Sequence, residues 1–241
     1  MCGRYVRRSD KQKIAEHLHA NPTPQDLPMP AADYNVAPTT HQPIIRQSRE
    51  TGEREMILGR WGLIPFFTKD LKEIKGLSTI NARAETIATS RTWREPMKKR
   101  RYLIPVNAFY EWPKEGKPPK QPYAFELTTG SLFAFAGIWD AWKDGEGHWL
   151  QSYAIVTTEA NELMSRIHPR MPVILHPRDY DRWLDREETE QLPLDLLRPF
   201  ESEAMEMREA NPKVNNVRNN GPELLQQAEQ AAESGFSCLA C

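Results

Sequence analysis

The chain of 241 residues has three cysteines, Cys2, Cys238 and Cys241, and none lies in the body of the sequence. That excludes a disulfide framework and suits a reducing compartment. No apolar run approaches the ~20 residues needed to span a bilayer. The N-terminus also lacks the basic-then-apolar order of a secretory signal. No single sign of charge dominates: 32 basic residues face 33 acidic ones. Net charge therefore neither demands nor rules out a nucleic-acid partner. These absences predict a soluble, cytoplasmic protein. Regular alternation of strand and helix is missing too, which argues against a doubly wound sheet.

What is present begins at residue 2. Once Met1 is removed, Cys2 carries a thiol and a free α-amine on one carbon skeleton. With ordinary pKa values near ~8 and ~8.5, both groups are partly nucleophilic at neutral pH. Such a 1,2-aminothiol condenses with an aldehyde to an imine and closes to a thiazolidine. It also suits an N-terminal nucleophile attacking a carbonyl. Position alone leaves open that Cys2 merely follows the start codon.

The local pattern predicts a helix over Ser9–Ala20 with Ser9 as cap, and strands over Ile44–Arg49 and Arg54–Trp61 around Thr51-Gly52. A helix follows over Ala84–Met97. Further strands are expected at Tyr102–Phe109, Pro122–Leu127, Leu132–Ile138 and Trp149–Thr157. Helices are expected at Glu159–Ile167, Pro177–Leu184 and Glu223–Ala232. Phe133 and Phe135 alternating with Ala134 and Ala136 give a period of two. The chain is long enough to bury a core. The fold expected is a single strand-rich α+β domain over residues 1–225, with a central sheet or barrel-like core and peripheral helices, followed by a tail over 226–241.

Charge is locally uneven. Residues 81–101 hold seven basic side chains against two acidic ones, ending in Lys98-Lys99-Arg100-Arg101. Such a cluster suits phosphates or simply a solvated face. Glu111 stands between Tyr110 and Trp112, where loss of hydration would raise a carboxyl pKa and suit it to proton transfer. Alternatively its head reaches water. His168 is either a second proton carrier or a turn histidine tied to backbone. Arg83 and Arg170 are candidate phosphate forks or ordinary ion-pair partners. Asn81 could hold a substrate or the N-terminal amine, or merely cap the following helix. Cys238-Leu239-Ala240-Cys241 has CxxC spacing, but a zinc site needs two more ligands and no second pair supplies them. It reads as tail, and no metal or cofactor is expected.

Seven segments occur in a telling order. They are Met1–Tyr5, Tyr34–Pro38, Arg60–Pro65, Asn81–Thr86, Phe109–Trp112, His168–Leu175, and Val214–Asn216 with Asn219-Asn220 nearby. On these the chain resembles the SOS-response-associated peptidase family, also called the abasic-site processing family. The resemblance implies a covalent thiazolidine crosslink between Cys2 and the aldehyde of an abasic site in single-stranded DNA, which shields the strand from cleavage. It implies catalytic roles for Cys2, Asn81, Glu111 and His168. It implies DNA contacts for Asn35, Arg4, Trp61, Phe67, Arg83, Trp112 and Arg170. Single-stranded DNA would be the partner of a monomer working at the nucleoid or replication fork. Two other readings stay open: an N-terminal-nucleophile peptidase that processes itself, and a non-covalent reader of modified DNA. Phe66-Phe67 departs from the tryptophan that many relatives carry after Ile-Pro.

Overall fold

In chain order the strands are β1 (Arg4–Arg7), β2 (Asp33–Val36), β3 (His41–Gln47), β4 (Arg54–Trp61), β5 (Asn81–Arg83), β6 (Arg101–Val106), β7 (Ala108–Glu111), β8 (Tyr123–Leu127), β9 (Phe133–Lys143), β10 (Trp149–Glu159), β11 (Arg170–Pro172), β12 (Ile174–Leu175) and β13 (Met205–Glu209). The α-helices are α1 (Lys11–His17), α2 (Arg94–Lys99), α3 (Glu162–Ser165) and α4 (Tyr180–Leu184). This computed structural model describes residues 2–21, 27–74, 79–187 and 189–227. No helix among the described residues is long and apolar enough to cross a membrane.

Five strands close on themselves. β10 pairs with β4, β4 with β3, β3 with β6, β6 with β9, and β9 returns to β10. All pairs are antiparallel except β10 with β4. Closure removes the free edges an open sheet of this length would expose. β5 and β11 lie on β10, and β12 on β9. A second sheet runs in the order β13-β8-β7-β1-β2.

The period of two explains how the sheets pack. Along β9, Ala134, Ala136 and Ile138 join a core built with α1, α2 and α4, through Ile14, Met97 and Trp183. The alternate residues Phe133, Phe135 and Trp139 join a core shared with the second sheet, through Tyr5, Phe109 and Phe125. With both faces buried, the strand reads as nearly continuous apolar sequence. Gly59 lies where strands crowd: a Cβ there would run into Ile44 Cδ1, which would have to shift.

The single strand-rich α+β domain expected from sequence is therefore the fold observed, but several boundaries move. The first helix is α1 alone, capped by Asp10, whose side chain accepts from the Lys13 N–H at 2.8 Å. Ser9 instead receives the Asn107 amide. The helix expected over Ala84–Met97 is a 3₁₀ turn at Ala84–Thr86 and then α2. Thr86, Thr89, Ser90 and Thr92 between them are poor helix formers. Tyr102–Phe109 divides at Asn107, which sends β6 to the barrel and β7 to the second sheet. β9 and β10 outrun their expected ends, so the helix expected over Glu159–Ile167 shrinks to α3. At the C-terminal end only a 3₁₀ turn at Pro222–Leu225 is described. Gln226 and Gln227 continue it in non-helical backbone, and residues 228–232 of the expected final helix and the Cys238/Cys241 tail lie outside the described residues.

Candidate functional site

β1 carries Cys2 to the junction of the two sheets. Arg4 pairs with Tyr110 and Tyr5 with Phe109. Continuing that register by one residue sets Gly3 opposite Glu111. On the other side, β5 runs parallel to β10 with Asn81 beside Ile155. Asn81 is thus a strand residue and caps no helix. Its Nδ2 donates to the Cys2 carbonyl at 2.9 Å in a buried setting. Its Oδ1 is buried without a hydrogen-bond partner among the described residues. Buried polar atoms are nearly always paired, so such an exception calls for a reason.

Cys2 is fully buried and Glu111 is 4% exposed. The Cys2 Sγ lies 4.0 Å from the Arg4 carbonyl oxygen. Burial pushes the Cys2 thiol well above its ordinary value, and the neighbouring Glu111 charge pushes it the same way. Cys2 also acts on Tyr153, whose hydroxyl meets that of Tyr5 at 2.9 Å. This tyrosine pair under the cysteine carried no motif signal. Only the alternation along β10 could have placed Tyr153 there.

After Trp112 the chain turns, and the Lys114 N–H donates to the Ile167 carbonyl at 3.3 Å, joining the end of β7 to the His168 turn. His168 Nδ1 accepts the Arg170 N–H at 3.0 Å, and the Arg170 carbonyl oxygen lies 3.2 Å from the same atom. Both contacts fall on Nδ1, so the tautomer decides which of the two is the hydrogen bond.

The residues expected to touch DNA divide into three kinds. Arg83 is exposed, and its side chain makes no hydrogen bond or ion pair with a described residue. Phe67 is 37% exposed, with the Arg91 guanidinium 4.7 Å from its ring centroid and Phe66 packed edge-on. Trp112 is half-buried, donates from Nε1 to Asn215 Oδ1 at 2.6 Å, and lies under Arg4.

Others are already engaged. Arg170 forms a two-pronged ion pair with Glu85 and donates to the Thr157 carbonyl at 2.7 Å. Glu85 lies within a segment singled out in the sequence, yet only its neighbours drew attention. Arg4 donates from Nη1 to Asn35 Oδ1 at 2.8 Å and to the Val214 carbonyl at 2.9 Å.

Two expectations are corrected. Asn35 is buried, and its Nδ2 reaches the carbonyls of Val214, Asn216 and Asn219. It ties down the 214–219 loop and offers no open face to DNA. Trp61 is wholly buried, packed at a tilt against Tyr5 and bonded from Nε1 to the Ile80 carbonyl at 3.0 Å. It is core and no base can stack on it. Gly62, at φ 110°, follows it and donates to the Tyr153 carbonyl, and Leu63 and Ile64 beyond it are buried as well.

A closed five-strand barrel with a flanking sheet, and a buried cysteine at position 2 pinned through its carbonyl, define a domain class built around its N-terminus. The chain belongs to the SOS response associated peptidase (SRAP) family, whose model it matches over residues 1–217. It is 38% identical over 229 residues to the abasic site processing protein YoqW of Bacillus subtilis, covering 94% of this chain and 99% of that one. It is 31% identical over 231 residues to the mouse abasic site processing protein HMCES, covering 81% of this chain and 65% of that one. A crystal structure of a protein from Bacteroides thetaiotaomicron superposes with a TM-score of 0.82 at 28% identity, covering 94% of this chain and all of the other.

Proposed function

We propose that this protein captures abasic sites in single-stranded DNA as a covalent thiazolidine at Cys2. The observation that carries the reading is the buried Cys2 with its carbonyl held by Asn81, beside Glu111. The relatives' designation as abasic site processing proteins supplies the substrate class.

The chemistry follows from the groups present. Removal of Met1 gives Cys2 a free α-amine. The amine attacks the aldehyde of the ring-opened deoxyribose, and loss of water leaves an imine. The thiol then adds across the imine carbon to close the ring, so the net change is aminothiol plus aldehyde to thiazolidine plus water. Because the thiol is pushed up, it rests protonated and the amine attacks first. Ring closure then needs a base to take the thiol proton, and Glu111 is the carboxylate beside it. His168, held through Nδ1 in the turn before Arg170, is placed in this reading to hand a proton to the departing hydroxyl. Asn81 Oδ1 is an acceptor suited to the new α-amine. Arg83 and Phe67 serve the strand from outside, as phosphate ligand and base contact. With the resting thiol protonated, a peptidase working from a standing thiolate is the weaker reading.

The test is intact mass after incubation with abasic single-stranded DNA. The expected product is the protein lacking Met1 plus the oligonucleotide minus one water, stable to heat and denaturant. Cys2→Ala should lose this adduct. An equally stable adduct from Cys2→Ala would sink the mechanism. Loss of Met1 that persists in Glu111→Gln would assign its removal to a host aminopeptidase.

A further inference from the structure

A second concave surface has none of Cys2, Asn81, Glu111 or His168 in its lining. A groove of about 580 Å³ is lined by Phe66, Trp139, Trp149, Arg46, Arg49 and Arg100, among others. It runs into a narrower cleft that shares Arg46, Arg49 and Trp139 and adds Lys99, Arg101 and Arg186. Across the two, six basic side chains line the surface against two acidic ones, Glu95 and Asp140.

Some of that charge is already answered. Asp140 holds Arg100 at 3.4 Å, Glu55 holds Arg46 at 2.6 Å, and Arg101 is buried on main-chain carbonyls. Arg49, Lys99 and Arg186 are not: none makes an ion pair with a described residue. Arg186 Nε is buried with no hydrogen-bond partner among the described residues. The positive charges of Arg49 and Arg46 bear on Arg186 unfavourably, with Glu187 opposing them. The groove therefore gathers cations at an electrostatic cost and leaves donors unspent. Alongside them stand two large rings in water: Trp149 is 67% exposed and Phe66 59%. Lys143 Nζ sits 5.8 Å from the Trp149 ring centroid.

We infer that this groove binds an unpaired nucleic-acid strand outside the Cys2 pocket, with bases on Trp149 and Phe66 and phosphates on Arg49, Lys99 and Arg186. Cations in a track with exposed rings beside them are what a single strand needs, since phosphates want charge and unpaired bases want a flat apolar face. A duplex hides its base faces and would leave the rings idle. An acidic peptide would meet the cations and leave the rings wet. The inference goes beyond the reaction at Cys2, and it meets that reaction's strand contacts only where Phe66 packs edge-on against Phe67.

The experiment uses the full-length Cys2→Ala protein, which cannot crosslink, and fluorescence anisotropy with an undamaged single strand of about 16 nucleotides. Trp149→Ala should weaken binding about tenfold, as loss of one stacked base does. Arg49→Ala should weaken it less and reduce the dependence of log affinity on log salt by about 0.7. In the Cys2 parent, the same two changes should leave crosslinking to an abasic strand of about four nucleotides unaltered. Circular dichroism checks that each variant is folded. Unchanged affinity for the undamaged strand in both variants overturns the inference. So does a loss confined to duplex of the same sequence, or equal competition by polyglutamate at matched charge. Failure of the parent to crosslink, with these affinities behaving as stated, would sink the Cys2 reaction and leave this groove standing.

Discussion

The two ends of β1 are both buried, both polar and built from the same strand, yet they are finished differently. At the far end, Arg7 donates to Gln42 Oε1 at 3.1 Å, to the Ser9 carbonyl at 3.2 Å and to the Pro30 and Ala31 carbonyls. Asn107 there accepts from the Arg8 and Ser9 N–H groups and donates to Ser9 Oγ. At the near end, Asn81 spends its amide on Cys2 and leaves Oδ1 unanswered, beside a cysteine whose thiol is pushed up. The lesson is that burial alone does not mark a reactive site. A closed hydrogen-bond network stabilises, whereas an open acceptor among groups with shifted proton affinity is held ready for a ligand.

The largest effect should fall on the closed end. Asn107→Ala would leave the buried Ser9 N–H and the part-buried Arg8 N–H without their acceptor. At roughly 1–3 kcal/mol for each orphaned group, an overall loss of about 2–4 kcal/mol is expected. Urea denaturation would measure it. Crosslinking per folded molecule should be unaltered, and a large drop there would mean the two ends are coupled through β1.

Asn81→Ala should invert that pattern. It removes one hydrogen bond, so stability should fall by about 1 kcal/mol. The rate of crosslink formation should fall about tenfold or more, because the acceptor that positions the amine is gone. Single-turnover kinetics at saturating abasic DNA separates this from weaker binding. A variant with normal rate and lowered stability would return Asn81 to a purely structural part.

This division was only half legible in the sequence. Glu111 stood out between two aromatic rings and His168 before Pro169, whereas Asn81 stood out as the residue ahead of an expected helix. The barrel's alternation along β9 was readable because every second position is Phe, Ala or Ile. Closure was not readable, since it depends on β9 running past its expected end to pair with β10, and on β10 finding β4 far back in the chain. Nor was the fate of Asn35 and Trp61. Both lie in segments that carry the family likeness, and both are consumed inside the fold. A motif marks which residues matter, but whether one faces a ligand or a loop is decided by long-range packing. Asn35 meets its carbonyl partners at Val214–Asn219, far along the chain, and no local signal encodes that encounter.

Alkaline pH should act on the near end in particular. Burial raises the thiol of Cys2 and the phenols of Tyr5 and Tyr153 above the ordinary values of 9.0 and 10.0. The folded state therefore keeps protons that the unfolded chain releases. Stability from these groups is intact below about pH 9 and is lost as pH rises through their folded values, by up to ~1.4 kcal/mol per pH unit for each group. Cys2→Ala should remove the earliest part of this decline. Denaturation midpoints measured across the alkaline range would test it, and superimposable profiles for parent and variant would contradict a thiol pushed up in the fold.

The smallest effect concerns Arg170, which belongs to neither end cleanly. It was expected to fork a phosphate, but Glu85 already fills the fork, and the Arg170 hydrogen bond is the leading cause that holds the Glu85 carboxyl below its ordinary value. The Glu85 side chain is 52% exposed, so the pair is worth at most about 1 kcal/mol. Stability from it is present above the carboxyl's unfolded value of 4.5 and is lost as pH falls through the folded one. Glu85→Gln removes the competing charge while keeping the shape. If Arg170 exchanges Glu85 for a phosphate, affinity for an abasic single strand should rise, by up to about fivefold for 1 kcal/mol relieved. Stability above neutral pH should fall by less than ~1 kcal/mol, and the acid-dependent part of the loss should vanish. If affinity instead falls, the pair is a bracket that holds Arg170 so its N–H can seat His168, and the open end of β1 is then larger than the residues around Cys2.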